Sequence, residues 1–219
     1  AAGPLPAAPD ALAQLKEMIG TRPVFVAAST HPQEEEMLGR VYLKLKDAWP
    51  DLLMVLAPRH PERGSEIAET LRGQGLAVSR RAARVRVMAE TNVYLMDTIG
   101  ELGLLYRTAT FAYVGGSLVV HGGQNPLEAA RLGLPVLHGP HVFNFRGEYD
   151  ELGTAGVARE VADEAALAAA VAEWLAAPEA SAELGTRAQR IAELGAGAFD
   201  AAKAQLAPLL TKAGFHAPA

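Results

Sequence analysis

The chain has 219 residues, half of them hydrophobic and 21% charged, with a formal net charge of −5 and no cysteine. This composition is typical of a globular domain whose core needs no cross-links, and the lack of cysteine excludes disulfides and thiolate metal sites. The negative charge argues against a nucleic-acid-binding surface. No apolar run is long enough for a membrane-spanning helix, and no signal peptide is recognisable.

Residues 1–20 are rich in alanine and proline and then show a short stretch of helical spacing. We predict an interdomain linker here, followed by a short helix that Asp10 caps and Gly20 ends. We expect residues 21–219 to form one domain, and something upstream of residue 1 to have been removed.

From residue 21 onward, continuous apolar runs alternate with segments of helical spacing. This alternation indicates a Rossmann-like, doubly wound parallel sheet of the α/β class. We predict strands over residues 23–30, 52–58, 76–79, 93–96, 110–114 and 134–140. Helices are predicted over residues 33–48, 61–72 and 99–108, from residue 126, and as three alanine-rich helices in a C-terminal tail.

Polar or glycine-rich clusters follow four of these strands, and they read STH, PRHPER, GGS and HGP. Parallel sheets bind ligands at the carboxyl ends of their strands, so we predict one cleft there, faced by the hydroxyl groups of Ser29 and Thr30. Thr30 is also a candidate helix cap, and the glutamates at 34–36 suit the first helical turn. His31 is a candidate general base, although such histidines are more often structural.

The most informative segment is GGSLVVHGGQNPLEAA, from residue 115 to residue 130. Asn125, Pro126 and Glu128 stand where an N-cap, a first helical residue and a capping-box acid belong. Capping leaves the two glycine pairs unexplained, and bare backbone N–H groups near a helix N-terminus form an anion site. The loop therefore predicts a bound phosphate. The glycines concerned are Gly115, Gly116, Gly122 and Gly123.

A nucleotide fits the groups around this loop. The expected phosphate ligands are the hydroxyl of Ser117 and the amides of Gly122, Gly123 and Asn125. Since like charges repel, Glu128 is better suited to accept hydrogen bonds from a ribose diol than to face the phosphate.

The segment PRHPER adds a cation at the tip of the second strand. Arg59 offers a phosphate a bidentate, permanently charged partner, and His60 and Pro61 lie beside it. The competing interpretation pairs Arg59 and Arg63 with acidic side chains on the surface.

Several other chemistries are disfavoured by the motifs. The histidines at 31, 60, 121, 138 and 141 show no short metal-ligand spacing and no accompanying acidic cluster, so we expect no metal site. The chain also lacks the GxSxG elbow of hydrolases and the glycine motifs of P-loop and dinucleotide-binding proteins.

The motifs ASTH, EEE, LAPRHPER, DTIGELGLLYRTATFAYVGGSL and HGGQNPLEAARLGLPVLHGPHVFNF occur in this order. As a set, over about residues 23–151, they resemble the C-terminal half of 3-deoxy-D-manno-octulosonic acid (Kdo) transferase. The resemblance implies one half of a GT-B glycosyltransferase, which binds CMP-Kdo or CMP. The missing N-terminal half would receive the lipid A precursor and carry the catalytic base.

The resemblance also implies how the reaction proceeds and where. Kdo is transferred with inversion and without a metal cofactor, at the cytoplasmic face of the bacterial inner membrane. The chain itself is expected to be soluble and inactive without its N-terminal half. Arg59, with His60 and Pro61, would stabilise the departing phosphate, and His141 and Asn144 would line the donor cleft.

Three alternatives remain open from the sequence. The chain could be a GT-B donor domain for a UDP- or GDP-sugar, because a glutamate that binds ribose is common in that group. It could also be a non-catalytic nucleotide-binding domain, or an epimerase of related fold. The segment PRHPER favours CMP over the other nucleotides.

Overall fold

In the computed structural model, residues 3–212 are described, with side chains through residue 195. Eight α-helices and seven strands follow one another within this range. In chain order they are α1 Pro9–Ile19, β1 Val24–Thr30, α2 Glu34–Leu45, β2 Leu53–Pro58, α3 Gly64–Gly73, β3 Val78–Arg80, β4 Val93–Leu95, α4 Leu102–Tyr106, β5 Ala112–Val114, α5 Leu127–Ala130, β6 Val136–His138, α6 Arg146–Thr154, β7 Ala158–Glu160, α7 Glu164–Ala176 and α8 Pro178–Lys212.

The described strands form one parallel sheet in the order β3-β4-β2-β1-β5-β6-β7. On one side of β1 lie β2, β4 and the edge strand β3, with β4 inserted between β2 and β3, and β5 then begins the other side of β1. This reversal leaves a crevice between the carboxyl ends of β1 and β5, which is where doubly wound sheets bind ligands. The predicted sheet class is confirmed.

The core lies on both faces of the sheet, which explains the continuous apolar runs. Every residue of β1 and β2 is buried. On one face, α2, α3 and α7 pack over these strands, as shown by the buried side chains of Leu38, Ile67 and Val171. On the other face, α1, α4 and α6 contribute Leu15, Leu105 and Tyr149.

The helix predicted in the first twenty residues is present and packs against the domain. It begins at Pro9 rather than at a cap from Asp10, which lies inside its first turn. Gly20, with φ of +65°, ends it as predicted. Leu15 is fully buried, and Arg107 donates a hydrogen bond to the Leu5 carbonyl at 2.9 Å. Leu5 and Leu15 therefore contact the rest of the structure, and the domain boundary at residue 20 stays a prediction.

The remaining differences concern short elements. The predicted helix over 99–108 is confined to α4, and a 3₁₀ turn at Pro61–Arg63 precedes α3. The predictions omitted β7, because this three-residue edge strand is largely exposed and has no apolar run. The tail has three helices, although α6 is not alanine-rich. Within residues 3–212, no helix is both long and apolar enough to cross a membrane.

Candidate functional site

The loops after β1, β2 and β4 enclose a cavity of about 370 Å³ at the carboxyl edge of the sheet. Its lining combines Ser29 from the predicted STH cluster and residues 58–62 from PRHPER with a segment that follows β4. The lining residues are Ser29, Ala57, Pro58, Arg59, His60, Pro61, Glu62, Met96, Thr98, Ile99, Gly100, Glu101, Leu102 and Leu105. A cavity is therefore present at the predicted edge, and two of the four predicted clusters contribute to its lining, whereas GGS and HGP do not.

Ser29 and Thr30 have different roles at the end of β1. Ser29 lines the cavity and has φ of +55°, where the register between β1 and β2 shifts. Thr30 is fully buried, and its hydroxyl donates to the Glu35 carboxylate at 3.2 Å. Thr30 therefore neither faces the cleft nor caps α2, which follows Gln33 with φ of +78°. Both predicted roles of Thr30 are corrected.

Arg59 and its neighbours occupy the tip of β2. The Arg59 backbone N–H donates to the Thr30 carbonyl at 2.9 Å, which fixes this tip against β1. The Arg59 side chain is exposed and has no hydrogen bond or ion pair with any residue whose side chain is described. Arg63, by contrast, pairs with Glu35 and Glu66, both at 3.0 Å. The surface-pairing interpretation therefore holds for Arg63 and leaves the guanidinium of Arg59 available to a ligand.

His60 and Pro61 complete this segment. His60 is exposed, with Nδ1 3.3 Å from the Glu62 carboxylate. Pro61 begins the 3₁₀ turn, where its missing N–H loses no hydrogen bond. Both residues line the cavity beside Arg59.

The glycine loop comprises residues 115–126, between β5 and α5. Several of its predicted phosphate ligands form hydrogen bonds within the protein instead. The amides of Gly116 and Ser117 donate to the carboxylate of Glu34, at 2.7 Å and 3.1 Å. The Ser117 hydroxyl donates to the Val114 carbonyl at 2.6 Å, and Ser117 is fully buried. The Gly123 amide donates to the Gly116 carbonyl at 2.7 Å. The hydroxyl of Ser117 and the amide of Gly123 are therefore structural, which corrects their assignment as phosphate ligands.

Two predicted phosphate donors remain in the loop. The amides of Gly122 and Asn125 have no hydrogen-bond acceptor among the described residues. Gly122 has φ of +104°, and a Cβ there would lie 2.3 Å from Asn144 Nδ2, so only glycine fits. At Gly115, a Cβ would lie 2.6 Å from the Ser29 carbonyl oxygen. The glycines allow three loops to approach one another closely.

Asn125 and Glu128 have different roles in the structure. The Asn125 side chain accepts a hydrogen bond from the Leu127 N–H at 3.0 Å, but the N-cap of the helix is Pro126 and not Asn125 as predicted. The helix begins at Leu127, one residue later than expected. Glu128 makes no hydrogen bond with the described residues, so no reciprocal capping box forms. Burial raises the pKa of this half-buried carboxyl group, while Arg59 and Arg131 act in the opposite direction. Glu128 is available to a ligand.

Three histidines from different loops meet beside this site. The rings of His31 and His121 lie 3.7 Å apart between centroids, and His60 approaches His31 edge-on at 6.0 Å. Gln124 Nε2 lies 3.0 Å from His31 Nε2, and since an amide nitrogen only donates, His31 accepts here. Burial, with the nearby His121, His60, Arg59 and Arg63, lowers the pKa of His31 to about 4. Sequence spacing could not show this cluster.

The described side chains do not arrange three or more histidine, aspartate or glutamate groups to hold a metal ion. His31 is buried, and its ring contacts Gln124 and His121, so the structure favours a structural role for this residue over a role as general base.

The loop that contains His141 and Asn144 packs on the glycine loop. The His141 N–H donates to the Ser117 carbonyl at 3.0 Å, and Asn144 Nδ2 donates to the His121 carbonyl at 3.1 Å. Phe145 packs against the core, whereas Phe143 is 56% exposed. His141 and Asn144 therefore lie at the site, while their contact with a donor stays a prediction.

The sequence predictions missed the segment from Met96 to Leu102, which forms one wall of the cavity. Arg81 donates to the Glu101 carboxylate at 2.5 Å and 3.0 Å, and Thr98 donates to the same group. These hydrogen bonds lower the pKa of Glu101, so it stays ionised. The available signal was the DTIGE stretch at residues 97–101, of which the predicted helix includes only residues 99–101.

The site can be compared with known proteins. No protein-family model matches the chain. Over 124 residues the chain is 44% identical to 3-deoxy-D-manno-octulosonic acid transferase of Haemophilus influenzae, a match that covers 57% of this chain and 29% of that protein. Over 146 residues it is 40% identical to the transferase of the same name from Bordetella pertussis, covering 65% of this chain and 34% of that protein.

A solved structure covers nearly the same extent as the chain. The C-terminal CMP-Kdo binding domain of WaaA from Acinetobacter baumannii is 33% identical, with a TM-score of 0.78, over 83% of this chain and 96% of that domain. The chain belongs to the Kdo transferase family. The resemblance read from the motifs is confirmed, and so is the Rossmann-like half of a GT-B glycosyltransferase with a helical tail. The chain spans about a third of the length of the curated Kdo transferases that it matches.

Proposed function

We propose that this chain binds CMP-Kdo and is the donor-binding half of an inverting Kdo transferase, which transfers Kdo to a lipid A precursor. The observation that carries the proposal lies at the carboxyl edge of the sheet, where the guanidinium of Arg59, the carboxylate of Glu128 and two amides have no partner among the described residues. Identity of 33% across 96% of a CMP-Kdo binding domain supports this choice of donor.

Glu128 is proposed to bind the ribose of CMP. Its carboxylate has no hydrogen bond with the described residues and lies within electrostatic reach of Arg59. A ribose diol supplies two hydroxyl donors, which satisfy a half-buried carboxylate better than a phosphate would.

Arg59 and the amides of Gly122 and Asn125 are proposed to bind the phosphate. As the bond from phosphate to Kdo breaks, negative charge grows on the phosphate and positive charge on the sugar. Fixed donors directed at the leaving phosphate stabilise this separation without a metal cofactor. In other enzymes, loss of one such donor costs about 3 kcal/mol of transition-state stabilisation.

The cavity beside Arg59 is proposed to receive the cytosine. Met96 and Leu102 supply apolar walls, and Thr98 and the ionised Glu101 supply polar groups. A binding site of this kind, mostly apolar with a few placed polar groups, is typical of small-molecule recognition.

The base that activates the acceptor hydroxyl is assigned to the N-terminal domain of the full-length enzyme. That domain would also hold the lipid A precursor and contact the cytoplasmic face of the inner membrane. The isolated chain is therefore proposed to bind the donor without transferring Kdo.

Calorimetric titration of the chain with CMP, UMP, UDP and GDP tests the proposal. We expect a preference for CMP that Arg59→Ala weakens by about 100-fold, the loss of one charge-assisted phosphate contact. Arg190→Ala is the matched control, because Arg190 is an exposed arginine on α8. A preference for UDP or GDP would overturn the donor, and no nucleotide binding by either the chain or the full-length protein would overturn the site.

A further inference from the structure

The carboxylate of Glu34 lies fully buried beneath the glycine loop, at the start of α2. Five donors surround its two oxygens. They are the amides of His31 (3.0 Å), Gly116 (2.7 Å), Ser117 (3.1 Å) and Leu118 (3.1 Å) and the hydroxyl of Tyr113 (2.6 Å).

This arrangement is an anion site that the protein fills with its own side chain. Consecutive backbone N–H groups that converge on one point are the usual way a loop binds phosphate. Here the amides of residues 116–118 converge on Glu34 Oε1 and Oε2. A buried carboxylate is stable only when it is fully hydrogen-bonded, and the five donors meet that condition.

Glu34 and its five donors, here called the clamp, join two loops that both contribute to the proposed donor site. Glu34 belongs to the connection after β1, and the glycine loop follows β5. From the same connection as Glu34, the His31 ring contacts His121 and is hydrogen-bonded to Gln124. The connection after β1 therefore holds the loop at residues 116–118 and again at residues 121 and 124, on either side of Gly122 in the sequence.

We propose that Glu34 is a positioning residue for donor binding. Its charge occupies the first amides of the glycine loop, so an incoming phosphate cannot bind there and is directed to the amides of Gly122 and Asn125. This inference rests on the proposed function, because it specifies how the same site orients the donor phosphate.

Replacement of Glu34 by glutamine is the direct test. The side chain keeps its shape, but one carboxylate oxygen becomes an NH₂ group that faces donors and cannot accept from them. We expect Glu34→Gln to lower the affinity for CMP by about tenfold or more, and the affinity for cytidine by less than about twofold. Cytidine lacks the phosphate, so the ratio of the two affinities reports on phosphate positioning, which a general loss of stability would not change.

A control variant and a second, milder variant accompany Glu34→Gln. Glu36→Gln removes an exposed carboxylate from the same helix and should change neither affinity. Tyr113→Phe deletes one of the five donors, and we expect about a threefold loss for CMP alone. If Glu34→Gln does not fold, Tyr113→Phe carries the comparison. An equal loss for CMP and cytidine, or no loss in either variant, would overturn the proposal.

Hydrogen exchange separates this inference from the proposed function. In Glu34→Gln, the amides of residues 116–118 should exchange faster than in the unchanged chain, while the amides of β2 do not. If neither the unchanged chain nor the full-length protein binds a nucleotide, the proposed function fails, and this exchange result still decides whether Glu34 holds the loop. Unchanged exchange at residues 116–118 would overturn the clamp itself.

Discussion

Glu34 and Glu128 show how one side-chain type serves two purposes at the carboxyl edge of the sheet. Glu34 is fully buried and accepts five hydrogen bonds from the chain. Glu128 is half-buried and accepts none from the described residues. The first carboxylate is therefore part of the structure, and the second is available to a ligand. Substitution should separate the two roles.

For Glu128→Gln, we expect weaker CMP binding with little effect on folding. The affinity should fall by about tenfold, since a hydrogen bond to a charged group contributes about 1.5–3 kcal/mol. The melting temperature should stay unchanged or rise slightly, because burial already disfavours the charged form of this carboxyl group. Calorimetric titration and thermal unfolding measure the two effects.

Comparison with 2′,3′-dideoxy-CMP supplies the control for Glu128. The unchanged chain should bind this nucleotide less tightly than CMP, and Glu128→Gln should bind both about equally. A large drop in melting temperature with intact CMP affinity would show instead that Glu128 serves only the fold.

The buried His31 predicts a pH-dependent stability. Its pKa is lowered from 6.5 to about 4 in the folded chain, so between these values the unfolded chain binds a proton that the folded chain does not. The free energy of unfolding should therefore fall as the pH drops from 6.5 to 4, by at most about 3 kcal/mol from this group. Urea unfolding at a series of pH values measures the slope.

His31→Gln provides the comparison that isolates this slope. Burial raises the pKa of Glu35 and Glu128. A carboxyl group with a raised pKa lowers the free energy of unfolding as the pH rises, which is opposite to the effect of His31. Those contributions remain in the variant. The difference between the unchanged chain and the variant, in the free energy of unfolding as a function of pH, is therefore due to His31. Parallel profiles would show that the imidazole is protonated in the folded chain.

At the scale of elements, the site is made by connections rather than by the strands themselves. The sheet fixes the ends of β1, β2, β4 and β5, and the connections then approach closely enough to exclude side chains at several glycines. The helix after the glycine loop is only four residues long, so loop packing contributes more to the local geometry than the helix does.

The glycine loop should therefore be intolerant of substitution. Gly123 has φ of +76°, and a Cβ there would lie 3.2 Å from Val142. We expect Gly123→Val to lower the free energy of unfolding by about 1–3 kcal/mol, the usual strain of a β-branched residue at positive φ, and to weaken CMP binding as well. Thermal unfolding and titration measure these effects.

Gly147→Ala is the matched control for the loop substitution. Gly147 lies in α6, and a Cβ there would meet no atom within 4 Å. Alanine should be neutral or stabilise the chain by up to about 1 kcal/mol, because glycine is the weaker helix former. If Gly123→Val behaves like this control, the loop conformation is not fixed.

At the scale of the whole molecule, the two edges of the sheet have different tasks. The carboxyl edge is open and carries the site. At the amino edge, the Arg22 guanidinium donates to the carbonyls of Asp51 (2.9 Å), Leu52 (3.0 Å), Met88 (3.2 Å) and Thr91 (2.7 Å). One side chain therefore ties the start of β1 to the segments that enter β2 and β4.

Arg22→Ala should lower the stability of the chain and leave its site intact. We expect the free energy of unfolding to fall by about 3 kcal/mol, because four carbonyl contacts to a charged donor are lost. CMP affinity should change by less than about twofold, since Arg22 lies at the opposite edge of the sheet. Urea unfolding and calorimetric titration test the two statements.

Arg22→Lys refines this test. An ammonium group is a compact point charge that cannot reach four carbonyls, so we expect only partial recovery of stability. Full stability in Arg22→Ala would show that Arg22 is dispensable, and full stability in Arg22→Lys alone would show that an ammonium group suffices. A loss of CMP affinity would show that the two edges are coupled.

Much of the fold was predictable from local sequence. The apolar runs located β1 and β2 to within one residue, since strands buried on both faces need continuous apolar side chains. Their alternation with helices predicted the parallel sheet, and the clusters after the strands predicted the edge that carries the cavity. The motifs also predicted the family, because the order of PRHPER, the glycine loop and NPLE is specific.

The assignments that failed depend on contacts between distant residues. Glu34 and Ser117 are 83 positions apart, and nothing in the pattern EEE indicates that one glutamate turns inward to the glycine loop. The same holds for the meeting of His31, His60 and His121. Periodicity reports which residues are buried locally, whereas the partner of a buried polar group depends on which loops the strand order brings together. The sequence alone therefore determined the sheet, its edge and the family, and the tertiary structure decided which groups hold the loop and which remain for a ligand.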